Sequence, residues 1–145
     1  MPGTLYEDFA ARKCQQDLHS AVVSEVALRE FLAAGALDPH LAKLRPRNAH
    51  RRALALEAIA RAFPKGTRAN PPRGGYMLWA ELPRAVDLAE VRETARQERI
   101  VFGAGPVFYT EPQPTSSLRL NCAKASEEEL VSGLETLGAI LCAAE

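Results

Sequence analysis

The amino-acid sequence predicts an α+β domain in which a short β-sheet is covered by helices and preceded by one long helix. Short apolar stretches with the alternation of strands predict the sheet; examples are "YMLWAELP" at 76–83 and "SSLRLNCA" at 116–123. Longer amphipathic stretches with helical spacing lie before, between and after them. The chain has 145 residues, of which 47% are hydrophobic, and is therefore long enough to bury a core of its own.

Two helices are predicted at the start of the chain, over residues 5–18 and 20–37. For the second helix, Ser20 is the expected N-cap because its hydroxyl can accept a hydrogen bond from a free backbone N–H. Gly35 is expected to end this helix because glycine adopts the left-handed conformation of a C-terminal cap.

The longest predicted helix covers residues 38–63, with Asp38 as its N-cap and Pro39 at its first position. Pro46 lies inside it and is expected to kink or split the helix. At about 1.5 Å per residue, this helix spans more than about 30 Å, which exceeds what a compact domain of this size requires. We therefore expect it to connect two domains.

The second half of the chain is predicted to form the sheet and its covering helices. Strands are expected over 76–83, 100–105 and 116–123, and helices over 87–99 and 126–145. The first of these strands is apolar on both faces until Glu81, which predicts that it is covered on both sides. The last helix begins with a capping box formed by Ser126 and Glu129.

Composition and charge exclude several classes of protein. The 18 basic residues balance the 18 acidic ones, so no overall field favours nucleic acid or membrane as a partner. The three cysteines have no CxxC spacing, and His19, His40 and His50 have no metal-ligand spacing, so neither a disulfide framework nor a metal site is expected. No signal peptide and no membrane-spanning run is visible, and we expect a cytoplasmic location.

Arg119 is the most informative candidate for a functional residue. In the strand at 116–123, alternation places Leu118, Leu120 and Cys122 on one face and Ser117, Arg119, Asn121 and Ala123 on the other. The guanidinium cannot be deprotonated, so it either points to water or meets an anion. A carboxylate would suit it best, because the planar fork can donate two parallel hydrogen bonds. Asn121 could support either arrangement.

Other motifs give weaker indications. The pair Gly74–Gly75 precedes a strand, and it forms either a turn or a close approach of the backbone to a ligand. "FGAGPVF" at 102–108 is not a dinucleotide fingerprint, because no helix opens after it and Pro106 interrupts it. No known constellation of catalytic residues is visible, so the residues alone indicate a binding module with one unusual arginine. A non-enzymatic interaction module that docks through the long basic helix is the alternative.

Four motifs in a fixed order sharpen this interpretation: "ALREFLAAGALDPHLAKLRPRNAHRRALALEAIARAFPKGTR", "PPRGGYMLWAELP", "IVFGAGPVF" and "SSLRLNCA". Together with the last helix, they resemble the C-terminal part of a fold type I pyridoxal-phosphate aminotransferase. The "HLAKLR" helix and the "GGYMLWAELP" strand are most similar to the aminotransferase-like domain of MocR-type regulators of the GntR family. Single-chain aminotransferases of the 2-aminoadipate type resemble the chain nearly as closely.

The resemblance implies the small domain of the aspartate-aminotransferase fold over 64–145. It further implies that 38–63 is an interdomain helix and that 1–37 is a helical remnant of the large cofactor domain. In this family, the arginine of the "LRLN" strand binds the α-carboxylate of an amino acid, which is the role implied for Arg119. The resemblance places Gly74, Gly75 and the 105–108 loop at the edge of the site.

The resemblance also implies what the chain lacks. The lysine that forms the Schiff base with pyridoxal phosphate is expected upstream of this chain, and Lys13 does not match its motif. The cofactor is therefore expected in a longer parent protein and not on this chain, which should not transaminate alone. The partners implied for the parent are an amino acid or other small carboxylate, the missing large domain, and a second copy in a homodimer. DNA would be bound only through an absent N-terminal domain.

Overall fold

The computed structural model describes residues 3–16, 20–111 and 116–144. Its helices are α1 (Gly3–Gln16), α2 (Val22–Ala33), α3 (Leu37–Ala62), α4 (Leu88–Gln97) and α5 (Glu127–Ala143). Its strands are β1 (Arg68–Ala69), β2 (Met77–Glu81), β3 (Gly103–Ala104) and β4 (Ser117–Asn121). The α+β class is therefore confirmed. Residues 17, 18 and 145, at the ends of two predicted helices, lie outside the described part of the chain, as does His19.

The chain divides into two compact units, Met1–Ala42 and Lys43–Glu145. In the first unit, α2 has no buried residue and ends as predicted at Gly35, which has a φ of 65°. The N–H groups of Gly35 and Ala36 donate to carbonyls of the last helical turn, which is the Schellman arrangement. The predicted N-cap of α2 is wrong, since Ala21 occupies that position in place of Ser20.

Helix α3 runs without interruption from Leu37 to Ala62, so Pro46 does not split it, and the predicted kink stays a prediction. A proline in the interior removes one backbone hydrogen bond, and packing further along the helix compensates for that loss. This packing comes from Ala55, Ala58 and Ile59, which are almost fully buried. The helix also starts one residue earlier than predicted, so Asp38 lies in its first turn and does not cap it.

The four strands form one antiparallel sheet in the order β1-β2-β4-β3. In the central pair, Leu78 lies opposite Leu120 and Trp79 lies opposite Arg119. The predicted strand at 100–105 shortens to the two residues of β3, because the chain enters a single 3-10 turn at Gly105–Phe108 that contains Pro106.

One face of the sheet, called here the closed face, forms the core with α3, α4 and α5. Leu78, Ala80, Leu118 and Leu120 point into it and are at most 6% exposed. Four leucines of α5 are also buried in this core: Leu130, Leu134, Leu137 and Leu141. The predicted coverage of β2 on both faces is wrong within the described residues, since Met77 is 37% exposed and Trp79 is half-buried.

Helix α5 is fixed by a local cap at its start and by close packing against α3 further along. The predicted capping box is confirmed, because the Ser126 and Glu129 side chains each bond the other's backbone N–H. Further along, Gly138 lies directly against α3, and a Cβ there would stand 2.5 Å from the Ala62 carbonyl oxygen. This glycine allows the two helices to approach each other closely.

Candidate functional site

The second face of the sheet, called here the open face, carries Arg119 together with Met77 and Trp79. The predicted alternation along β4 is confirmed for most positions, since Leu118, Leu120 and Cys122 are buried while Arg119 and Asn121 are exposed. Ser117 differs because it is fully buried, and its Oγ has no hydrogen-bond partner among the described residues. Ser117 lies against Gly105. A Cβ added at Gly105 would stand 2.7 Å from the carbonyl oxygen of Ser117.

The guanidinium of Arg119 lies over the ring of Phe108, with 4.1 Å between Cζ and the ring centroid. Trp79 is the cross-strand neighbour of Arg119 and meets Phe108 edge to face at 5.9 Å. Tyr109 meets Trp79 at the same separation and angle. The arginine therefore stands beside an aromatic group formed by β2 and the 3-10 turn.

Among the described residues, no acidic side chain forms an ion pair with Arg119. The carboxylate of Glu81, which shares the face of β2 that carries Trp79, is paired instead with Arg68 at 2.9 Å. The N–H groups of the Arg119 guanidinium are therefore available to an external anion, since an aromatic ring is a weak acceptor that does not replace a carboxylate.

The side chain of Asn121 makes a local hydrogen bond. Its Oδ1 accepts a hydrogen bond from the backbone N–H of Ala123 at 2.8 Å, which closes a tight turn after β4. Asn121 also borders an open cleft of about 720 Å³ between residues 98–102 and α5, a cleft that Arg119 does not line. Support of a bound ligand by Asn121 stays a prediction.

Gly74 and Gly75 form a bend before β2, and both are exposed. Gly75 has a φ of 74°, and its carbonyl oxygen accepts a hydrogen bond from Nη1 of Arg52 at 2.6 Å. Gly75 comes two residues before the start of β2 and four before Trp79, the cross-strand neighbour of Arg119. The turn interpretation fits this geometry, and a role in binding stays a prediction.

Sequence analysis missed the structural role of Arg51, which is only 3% exposed. Its Nε donates to the Cys122 carbonyl at 2.6 Å, and its Nη2 contacts the carbonyls of Ala125 and Ser126. A buried guanidinium needs such partners, and here they hold the end of β4 and the start of α5 against α3. Its spacing from Ala55 and Ala58 on one helical face could have indicated burial.

Cys122 is the buried cysteine, whereas Cys14 and Cys142 are exposed. Burial raises the pKa of the Cys122 thiol from 9.0 to about 11, and the nearby positive charges of Arg51 and Arg52 oppose this shift. Cys122 is therefore a protonated, packed side chain on the closed face and not a reactive thiolate.

The described residues include no group of three or more His, Cys, Asp or Glu side chains that could hold a metal ion. His40 packs edge to face against Phe31, and His50 lies 3.5 Å from a carboxylate oxygen of Glu127. No helix in the described ranges is long and apolar enough to cross a membrane.

Comparison with known families agrees with this fold. The family model of aminotransferase class I and II matches residues 3–137, and the chain belongs to this family. An uncharacterized aminotransferase of Saccharolobus solfataricus is 31% identical over 137 residues, which cover 92% of this chain and 34% of that protein.

An uncharacterized HTH-type transcriptional regulator of Escherichia coli is 29% identical over 136 residues, covering 90% of this chain and 29% of the regulator. Among solved structures, the alpha-aminoadipate aminotransferase of Thermus thermophilus, complexed with N-(5'-phosphopyridoxyl)-L-leucine, superposes with a TM-score of 0.82 at 26% identity. That match covers 99% of this chain and 36% of the enzyme. The chain thus spans about a third of the length of the relatives it matches.

Proposed function

We propose that this chain is the carboxylate-binding part of a longer aminotransferase-like protein, called here the parent protein, and that Arg119 binds the α-carboxylate of an amino acid. The exposed guanidinium of Arg119 on the open face, unpaired with any described acidic side chain, carries this proposal. The planar guanidinium of an arginine suits a carboxylate better than the ammonium group of a lysine does, because it donates two parallel hydrogen bonds in fixed geometry.

The chain by itself does not fit pyridoxal phosphate, the cofactor that the family implies. All four of its lysines, Lys13, Lys43, Lys65 and Lys124, are exposed. A lysine that forms a Schiff base is commonly activated by desolvation, and exposed side chains are not desolvated. We therefore assign the cofactor and its lysine to the rest of the parent protein, and we expect no transamination by this chain alone.

The assignment of residues 1–37 to the large cofactor domain, 38–63 to an interdomain helix and 64–145 to the small domain remains part of the proposal. The apolar side chains of α1 and α2 support it, since Leu5, Phe9, Val23 and Leu28 are between 48% and 84% exposed. Exposed apolar surface of this kind is characteristic of a face that another part of the protein covers. The large domain, in a homodimeric parent, would supply that cover.

We further propose that the parent is a MocR-type transcriptional regulator, located in the cytoplasm, in which an amino acid or a related small carboxylate acts as effector. The similarity over 90% of this chain to the Escherichia coli HTH-type regulator supports this proposal. DNA would be bound through a separate N-terminal domain of the parent. A parent that transaminates freely and does not bind DNA would instead be an amino acid aminotransferase of the 2-aminoadipate type.

The substitution Arg119→Lys in the parent protein tests the proposed role. Lysine keeps the positive charge but loses the bidentate fork, so we expect amino-acid affinity to fall at least about tenfold. Affinity for pyridoxal phosphate should stay within about twofold, because the proposal keeps Arg119 away from the cofactor. Separate titrations with an amino acid and with the cofactor measure both. An equal loss of the two affinities would contradict the proposal.

A further inference from the structure

We propose that Phe108 is a positioning residue for Arg119: its ring fixes the plane of the guanidinium so that the two N–H edges are held ready for a carboxylate. This inference rests on the proposed function and gives a specific role to Phe108, in the 105–108 loop that the resemblance placed only at the edge of the site. Phe108 itself need not touch the bound amino acid.

The ring contact limits the motion of an otherwise flexible side chain. Arginine has many rotamers, and immobilising it on binding costs conformational entropy. With Cζ 4.1 Å from the Phe108 centroid, the Arg119 guanidinium already has a fixed neighbour before a ligand arrives. Five N–H groups extend from the guanidinium, and a single ring contact leaves others free to donate to a carboxylate.

The fold brings the Phe108 ring to this place through two glycines. Gly103 lies directly opposite Arg119 in the β3–β4 pair. A Cβ at Gly103 would stand 3.1 Å and 3.2 Å from Phe108 ring carbons and 3.3 Å from the Arg119 Cβ. Gly105 lets the following 3-10 turn press against the backbone of Ser117. Larger side chains at either glycine would push the ring away from the arginine.

Trp79 makes a second contact with the Phe108 ring. Their centroids are 5.9 Å apart with an interplanar angle of 76°, which is a favoured edge-to-face arrangement for aromatic pairs. Phe108 is nevertheless 42% exposed, so burial in the core does not explain its position. The ring contacts both the tryptophan of β2 and the arginine of β4.

The substitution Phe108→Leu tests this inference, because leucine keeps an apolar side chain but removes the aromatic face. In the full 145-residue chain, the Arg119 side-chain Nε–Hε NMR signal should lie upfield of ordinary arginine signals through the ring current. The Leu variant should lose this displacement. Phe108→Tyr should retain it, and Val107→Ala serves as the matched control because Val107 lies on the same turn and is 72% exposed.

Affinity provides the second measurement. The chain is titrated with N-acetyl-L-leucine and, separately, with N-acetyl-L-leucinamide, which lacks the carboxylate. Phe108→Leu should weaken binding of the acid about fivefold, the scale of one cation–π contact, and leave the amide unchanged. Phe108→Tyr should restore the affinity for the acid, and Gly103→Ala should imitate the Leu variant.

The outcomes separate this inference from the proposed function. If the wild-type chain binds the acid no better than the amide, the carboxylate role of Arg119 fails. If Arg119→Lys abolishes the preference for the acid but Phe108→Leu retains full affinity and the upfield signal, only the positioning role of Phe108 is overturned. If the Leu variant unfolds, as judged by its backbone NMR spectrum, the Gly103→Ala and Phe108→Tyr variants decide by the same two measurements.

Discussion

The two faces of the sheet are built from the same strands but differ in what their side chains do. On the closed face, Leu78 and Leu118 are at most 1% exposed and pack against helices. On the open face, Trp79 and Arg119 are their immediate neighbours in sequence and remain accessible. Since successive side chains of a strand point to opposite faces, one short strand can serve both stability and binding. Substitutions on the two faces should therefore have separable effects.

The largest expected effect is on the closed face. Leu118→Ala should lower the free energy of unfolding by about 2–5 kcal/mol, because it removes a fully buried side chain and leaves a cavity. The adjacent Arg119→Ala should change it by no more than about 0.5 kcal/mol, since that side chain is exposed. Urea unfolding followed by circular dichroism measures both. If the two variants lost equal amounts of unfolding free energy, the two faces would not have separate roles.

A smaller effect is expected where α5 meets α3. Gly138→Ala should destabilise the protein by about 1–3 kcal/mol, because the new Cβ would overlap the Ala62 carbonyl. Gly133 is the matched control in the same helix, since a Cβ there meets nothing within 4 Å. Gly133→Ala should stabilise the protein by up to about 1 kcal/mol through its higher helix propensity. Destabilisation by both variants would mean that helix packing at Gly138 is not the cause.

The smallest expected effect is a pH dependence arising from Cys122. The pKa of the Cys122 thiol is about 11 in the folded protein. Its ordinary value, which applies to the unfolded chain, is 9.0. Between these values, the unfolded chain loses the thiol proton while the folded chain keeps it. The Cys122 contribution to the free energy of unfolding therefore falls as pH rises from 9 to 11 and is constant below pH 9.

Cys122→Ala should make the decline in stability over this range shallower than in the wild type, whereas Cys142→Ala, at an exposed thiol, should not. Chemical unfolding at several pH values measures the slope of the free energy of unfolding against pH. The slopes are compared, and not the absolute stabilities, because the Cys122 variant also loses packing. Identical slopes for the wild type and Cys122→Ala would contradict burial of this thiol.

The sequence predicted the features of the fold that depend on local patterns. Alternation along 116–123 separated Leu118 from Arg119, and the Ser126–Glu129 pair marked the start of α5 correctly. Local patterns did not predict features that depend on residues distant in sequence. One such feature is the continuity of α3 through Pro46, which the packing of the helix stabilises. Arg51 was missed for the same reason, because its acceptors lie more than 70 residues away.

The candidate site was predicted only in part. Arg119 could be identified because an arginine is unusual in an apolar strand. Phe108 could not, because its contact with Arg119 depends on how the 3-10 turn folds back over Gly103. Gly74 and Gly75 were grouped with Arg119 through the family resemblance, and their role in binding stays a prediction.

The most direct test of the role of Arg119 combines a change in the ligand with a change in the protein. Calorimetric titration of the parent protein compares an amino acid with its carboxamide, in the wild type and in Arg119→Lys. The wild type should prefer the acid by at least about tenfold, and the variant should lose most of this preference. A preference for the acid that survives unchanged in Arg119→Lys would show that another group binds the carboxylate.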